Sequence, residues 1–413
     1  MSNIQGFKIN KQSGKLSGGA TVNDRISALL ALVAVAPAGL ALGVTKKLES
    51  TRDLPALGID AAYDTTNSEV LYHNITEFFR LNPTGVLWLR LADSATVKPG
   101  DAFDDVANTL ARKLLVDAAG EVRQLAIQVN NASLAGTSLN GLPTDIHSAI
   151  AKAQSFAEWA YNTFKPTQVI IEGCNFTATP SGAGNLRAIT GVKAPKVSIV
   201  IGQDGFVTTR GAAWSKRAAV GAALGMISRR KVNENIGWVE EGNLTDTAEG
   251  RFLSAYLTNG LPIENFEADL QGLEDKGYIF TFSYTGAEGI YFNGDHTCVE
   301  LAHDENSISK GRSKDKAARL LRIAYLPKVK SSQPVDSATG KLPPVVVKHF
   351  DSIGENTLST NMQQRNEISG FVVKTDPNSD LITAKKLHVA FAIVPYGEVG
   401  EIEGTLEFVK SIN

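Results

Sequence analysis

The sequence predicts an α/β fold in its first half and a mixed α+β fold after it, and three observations carry that prediction. From about residue 57 to residue 202, runs rich in Val, Ile and Leu alternate with stretches of helical period, the pattern of a mostly parallel sheet covered on both faces. After about residue 205 the alternation gives way to an Ala-rich stretch, Gly- and Asn-rich segments and aromatic strands. The length of 413 residues, 43% hydrophobic and 20% charged, suffices for about two or three domains with a sizeable core.

Residues 1–25 are polar and Gly-rich, apart from the short alternation Phe7-Lys8-Ile9, and are expected to form an N-terminal arm. Ile26 to Val44 approaches the ~20 apolar residues of a membrane span. The polar lead before it is too long for a signal peptide, and Pro37 and Gly39 interrupt it. The expectation is a buried strand, a turn at Pro37-Ala38-Gly39 and a second short strand, with no membrane insertion. Asp64 or Thr65 is placed to cap a helix running through Arg80 and ended by Pro83 and Gly85. Val86 to Leu91 is the next strand, Asp101 caps a helix to about Leu115, and Leu125 to Val129 follows as a strand. A helix from Thr144 to Phe164 leads into strands at Gln168 to Ile171 and Lys196 to Gly202.

Residues 26–205 therefore form the expected α/β domain, whose opening strand pair could equally belong to the second domain. Residues 206–401 form that second domain, beginning with one long helix from Ala212 to Lys231. Within Gly277 to Leu301, Tyr278, Phe280, Phe282 and Tyr284 alternate with smaller residues. Ile290 to Phe292 returns, Asn293-Gly294 suits a tight hairpin turn, and His296 to Leu301 resumes the alternation. An amphipathic basic helix, Ile308 to Leu326, is followed by a polar loop from Lys328 to Pro344 and a strand from Leu387 to Val394 closed by Pro395. Residues 402–413 are expected to end the chain as an arm strand.

A net charge of −2 and a pI near 6.3 argue against a general affinity for nucleic acid or anionic lipid. Cys174 and Cys298, far apart, make neither a disulfide framework nor a four-ligand zinc site. The chain carries no Walker loop, no Gly-x-Ser-x-Gly elbow and no His-Glu-x-x-His helix, so neither catalysis nor a cofactor is expected. Ser181 to Asn185 does not join a strand to a helix and reads as a plain loop. His296, Cys298, His303 and Asp304 hold a single thiolate and read as strand and turn residues, with no metal expected. Asp101, Asp104 and Asp105 stand at a helix start, where capping and dipole roles explain them.

Two constellations remain. In the basic helix, a step of ~100° per residue gathers Ala317, Leu320, Leu321 and Ala324 on one side and Arg312, Lys316, Arg319 and Arg322 opposite. The basic side is either a solvated face or a docking face for an acidic partner surface. Phe7 and Ile9 near one end, and Ile402, Leu406 and Phe408 near the other, either complete their own sheet or add strands to a neighbouring copy. At ~0.5–1.5 kcal/mol per backbone hydrogen bond, five or six bonds would give several kcal/mol per exchange.

The order of these pieces resembles the contractile tail sheath proteins of bacteriophages, in a Mu-like or prophage branch. The resemblance rests on the α/β half, the small residues before Trp214, and the Asp275-Lys276-Gly277-Tyr278 lead into Tyr284-Thr285-Gly286. It continues through Arg312, Lys316 and Arg319 after the hairpin, and Val389 to Pro395 followed by Glu401-Ile402. The chain departs from the family pattern at Phe292 to Thr297, where many sheaths read Trp-Gly-Ala-Arg-Thr, and at Glu398, where a second Pro is usual.

The resemblance implies an α/β middle domain inserted in a mixed α+β terminal domain built from both chain ends. It implies self-assembly into stacked hexameric rings around an inner tail tube protein, with baseplate and tail terminator proteins as further partners. Contraction then drives the tube through a cell envelope without cofactor or nucleotide. The assembly would belong to a virion tail built in the host bacterial cytoplasm, with Arg312, Lys316, Arg319 and Arg322 facing the tube. Two alternatives stand beside it: the sheath of a phage-like bacteriocin or injection system, and an α/β enzyme or small-molecule binder using the crevice at the strand C-termini.

Overall fold

A computed structural model describes residues 23–177 and 179–408. Phe7 and Ile9 lie outside the described residues. Apart from the short pair Ser138–Leu139 and Leu142–Pro143, the strands, in chain order, are β1 Ile26–Val33, β2 Thr45–Leu48, β3 Val86–Asp93, β4 Gln124–Gln128, β5 Gln168–Glu172, β6 Val197–Val200 and β7 Gly202–Asp204. They continue with β8 Ala255–Leu257, β9 Tyr278–Ile279, β10 Thr281–Phe282, β11 Tyr291–Phe292, β12 Ile368–Thr375 and β13 Val389–Pro395. The longer helices are α1 Leu71–Leu81, α2 Thr144–Asn162, α3 Val220–Arg229, α4 Ile308–Tyr325 and α5 Pro344–Asn361.

A seven-stranded sheet in the order β9-β6-β5-β4-β1-β3-β2 organises the larger part. The apolar run that could pass for a membrane span is β1, near its centre, buried along its whole length and paired in parallel with β3 and β4. No described helix is long and apolar enough to cross a membrane. The expected strand pair does not form: β2 pairs antiparallel with β3, which lies between it and β1. The Pro37 segment is therefore a connection over a neighbouring strand. Gly39 donates its N–H to Leu57 O at 3.1 Å, and a Cβ there would stand 2.3 Å from Ala56 O.

Local chemistry splits the expected helices. Asp60 caps Ala61–Asn67, which ends with Ser68 left-handed at φ 55°. Asp64 then accepts the N–H groups of Tyr72 and His73, both at 3.0 Å, at the start of α1. The helix begun at Pro99 stops at Phe103, and Asp105 accepts from Thr109, Leu110 and Arg112 to restart it at Ala111–Asp117. Of the stretch from Ala212 to Lys231, only α3 is long helix. Its Gly221 and Gly225 let it press on the backbone of α1, where an added Cβ would meet Asn74 O at 2.1 Å and Phe78 O at 3.0 Å.

In the aromatic stretch, β10 pairs antiparallel with β11, and rings of Phe280, Phe282, Tyr284 and Tyr291 follow one another at 6.0, 4.4 and 5.8 Å. Asn293-Gly294 is not a tight hairpin turn, since neither residue has a positive φ. The Asn293 side chain accepts from Phe280 N and donates to Tyr278 O and Glu274, tying the strand start to its return. Residues 296–301 form only isolated bridges, Ala194 with Cys298 and His296 with Ser307.

The core does not break near residue 205. One continuous hydrophobic cluster runs from Ile26 to Ile308 and includes α3 and β9. A second cluster joins Ala317, Leu320 and Leu321 of α4 to Leu358, Met362, Ile368 and Val373, and a third gathers Leu342, Val346 and Phe350. Helix α4 thus begins in the first core and ends in the second, its apolar side as the periodicity predicts. Residues 402–408 belong to no helix or strand of their own chain.

Candidate assembly surfaces

The basic side of α4 is not a free face. Lys316 Nζ stands 2.7 Å from both Asp24 Oδ2 and Glu367 Oε1, and Arg319 Nη2 donates to Asp24 Oδ1 at 2.9 Å. Arg312 donates to the carbonyls of Lys231 and Arg230 at 3.2 and 3.3 Å, and burial pushes its guanidinium down to about 10. On the same helix Asp315 accepts from Lys196 at 2.8 Å and from Gln168 Nε2 at 2.9 Å. Burial opposes the charge on Lys196, but Asp315 and Glu305 outweigh it and leave the ammonium raised. Arg312, Lys316 and Arg319, expected to face a tube, are in the single chain buried, or nearly so, against the strand starts of the sheet. Arg322 alone of the four is exposed, stacked on the Phe164 ring at 3.2 Å. Arg, Lys and Asp on one helical side could be read from the sequence, but the distant acids that meet them, Asp24 and Glu367, carry no local signal.

The end of the chain is the opposite case. Asn235 Nδ2 donates to Glu398 Oε1 at 2.5 Å, and beyond it Ile402 and Leu406 are 86% and 95% exposed, with Phe408 fully exposed. As an extended chain these three share one side with Gly404, while Glu401, Glu403 and Glu407 share the other. Among the described residues, this apolar, acid-backed segment buries its side chains against nothing.

A second feature is a groove beside the two-stranded sheet. Among the described residues, strands β12 and β13 form a sheet of two, with a register shift near Gly370. A groove of about 1830 Å³ lies between β13 and α4, floored by Leu321, Tyr325, Phe350, Phe391 and Ile393. Lys328, Lys330 and Lys385 stand at its lining. A two-stranded sheet with an open edge is marginal alone and gains from a further strand.

The crevice at the carboxyl ends of the parallel strands is filled. Arg217 reaches into it with no solvent exposure, its Nε 2.9 Å from Glu172 Oε1 and its Nη1 3.6 Å from Glu69 Oε2. Glu172 also accepts the N–H groups of Val129 and Ala218, and Glu69 accepts from Ala34 N and Asn130. Burial raises Glu69, whereas the two carboxylates outweigh burial at Arg217 and hold its charge. The residues weighed as metal ligands have other partners: His296 Nε2 lies 3.1 Å from Glu274, His303 Nδ1 accepts from Glu305 N, and Cys298 is buried. Ser181 and its neighbours are an exposed turn in which Lys276 donates to the carbonyls of Pro180 and Ser181.

A continuous α/β core, a small two-stranded hairpin unit and an exposed tail are the parts of the chain among the described residues. Residues 2–296 match the family model described as DUF2586, N-terminal domain, and residues 304–413 match DUF2586, C-terminal domain; the chain belongs to this family. The border between the two matches falls just before α4 begins.

Among solved structures, the chain is similar to the helical sheath of the anti-feeding prophage in its contracted state, with 13% identity, TM-score 0.63 and full coverage of both chains. It is likewise similar to a chain of the anti-feeding prophage baseplate, 6-fold symmetrised, at 14% identity, TM-score 0.61 and full coverage of both. A contracted PVC sheath complex of an extracellular contractile injection system matches at 12% identity and TM-score 0.56, over 100% of this chain and 99% of that one. A comparison with curated proteins finds no match. The fold is therefore sheath-like from end to end.

Proposed function

We propose that this chain is a structural subunit of a contractile sheath, polymerising as stacked rings around an inner tube and shortening to drive that tube through a cell envelope. The observation that carries the reading is the end-to-end likeness to sheath chains, one of them in a contracted helical assembly. No catalytic step is assigned to the chain. Its partners are further copies of itself, the tube, and the baseplate and terminator at the two ends of the cylinder. Phage tail and injection particle require the same mechanics of the subunit, and the injection setting is favoured by the names of the similar structures.

Assembly is proposed to run through exchanged strands. Ile402, Leu406 and Phe408 of one copy enter the groove beside β13 of the next, adding backbone hydrogen bonds to its open edge and burying their apolar side. Glu401, Glu403 and Glu407 then face the lysines of the groove. Phe7 and Ile9 supply a second exchange from the N-terminal arm. The terminal domain centres on α4, α5 and the β12–β13 hairpin, and the chain's beginning returns to it through Asp24.

The test is assembly of purified protein watched by negative-stain microscopy. Full-length chain is expected to give tubes or stacked rings. Chain lacking residues 402–413 is expected to stay folded, with an unchanged circular dichroism spectrum, and to remain unassembled. Tubes that form equally well without the tail rule out strand exchange, and a full-length chain that never polymerises rules out the sheath reading. The enzyme alternative is disfavoured by Arg217, which occupies the crevice it needs. A rise in melting temperature with any member of a nucleotide panel would revive it.

A further inference from the structure

The Asp24 contacts form a path that the sheath reading does not by itself require. Asp24 is the second described residue, two positions before β1, and everything N-terminal to it belongs to the arm. Its carboxylate bridges Lys316 at 2.7 Å and Arg319 at 2.9 Å, and its carbonyl accepts from Gln124 Nε2 at 3.3 Å and Arg312 Nη2 at 3.5 Å. The paired side chains are shielded, with Asp24 14%, Lys316 4% and Arg319 10% exposed. Lys316 is braced on its other side by Glu367 at 2.7 Å, and Glu367 directly precedes β12, the partner of the strand that borders the groove.

We propose that Asp24, Lys316, Arg319 and Glu367 form a load-bearing clamp that passes tension on the N-terminal arm to α4 and the β12–β13 hairpin before it reaches β1. Without the clamp, a pull on the arm meets the chain at Arg25 and β1. Their backbone bonds, beginning with Val86 N to Arg25 O at 3.3 Å, would break one after another and expose a strand that is apolar but for Ser27. With it, the load reaches two charge-assisted bonds acting together in a partly dry site, which are stronger than neutral ones. The arm root and the hairpin that receives a neighbour's strand then move as one piece. A sheath can in this way change the spacing of its subunits while its connecting mesh carries the force. The functional meaning rests on the strand-exchange reading, but the clamp is a property of a single subunit.

The test is single-molecule pulling on the isolated full-length chain, with one handle at residue 2 and one on a cysteine placed at the exposed Val372 of β12. Cys174 and Cys298 are buried, so the introduced thiol is the one that couples. Wild type is expected to show a high-force first event with no prior release of β1. Asp24→Asn, and separately Lys316→Met with Arg319→Met, are expected to lose that event. A low-force release of residues 24–33, at about 3.4 Å each, should replace it. Asp24→Glu is expected to restore the high-force event, since it returns the charge. A first event unchanged in both Asp24→Asn and the double variant overturns the clamp. So does a lowered force that Asp24→Glu fails to restore, because simple loosening of the chain would then account for it. Tubes that form without residues 402–413 would count against strand exchange and leave this result untouched, so the two failures are separable.

Discussion

Glu172 at the end of β5 and Arg217, 45 residues further along the chain, meet at 2.9 Å with no solvent exposure on either side chain. The pair closes the end of the sheet where an α/β fold of this kind leaves room for a ligand. Truncating one partner leaves a buried charge uncompensated, at a cost of about 3–5 kcal/mol. Arg217→Met is therefore expected to lower the denaturant midpoint severely. Arg217→Met with Glu172→Gln should cost less than the sum of the two single changes. Additive losses measured by chemical denaturation would contradict the coupling.

The contact of α3 with α1 depends on the missing side chain of Gly221. A Cβ there would lie 2.1 Å from Asn74 O, whereas one at Gly225 would meet Phe78 O at 3.0 Å, and one at Gly136 would meet nothing within 4 Å. Gly221→Ala is expected to cost about 1–3 kcal/mol by overpacking. Gly225→Ala should cost less, and Gly136→Ala should have little effect. Equal midpoints for the three variants would show that the helices can shift apart without loss.

How much of this was legible in the sequence depended on how local the cause was. The apolar runs of β1, β3, β5 and β6 could be read because strands buried on both faces have no polar period to confuse them. The apolar side of α4 followed from its period. The interruption between Ala61–Asn67 and α1 was missed because Asp64 reaches forward to Tyr72 and His73, beyond a cap's usual span. The place of β2 outside β3 was missed because nothing in a strand pair names its neighbours. Arg312, Lys316 and Arg319 looked like a free face because their acids, Asp24 and Glu367, lie far away in the chain. Helix α5 went unread behind its opening prolines, which are well suited to a helix start.

Asp64 gives a pH dependence of definite sign. Burial, the largest influence, outweighs its two backbone donors and the Arg217 charge and pushes the carboxyl up to about 7, against about 3.9 in an unfolded chain. Folding thus favours the protonated form. This contribution to stability is full below pH ~4 and is lost as the pH rises toward 7. Asp64→Asn cannot ionise and also gives up one of the two acceptors for Tyr72 and His73, so its absolute stability is not the readout. The expected result is a smaller fall in denaturant midpoint between pH 4.5 and pH 7.5 for the variant than for wild type. Identical slopes would mean that Asp64 stays ionised in the fold.

The proposed exchange makes a stricter demand than apolar burial alone, because the tail carries Glu401, Glu403 and Glu407 on the side opposite Ile402, Leu406 and Phe408. If the strand seats beside β13 with its apolar side on Phe391 and Ile393, those carboxylates come to the rim where Lys328, Lys330 and Lys385 stand. Single surface pairs contribute little, so only the set should be felt. Replacing the three lysines by Glu is expected to raise the protein concentration needed for tube formation on the order of tenfold. Adding Glu401→Lys, Glu403→Lys and Glu407→Lys to that variant should bring it back. The tail changes alone should inhibit as the groove changes do, and added salt should narrow every difference, since screening acts within about 8 Å at physiological ionic strength. Recovery in the combined variant, measured by sedimentation and microscopy, would pair the tail of one copy with the groove of another. Inhibition that persists in the combination would place the strand elsewhere.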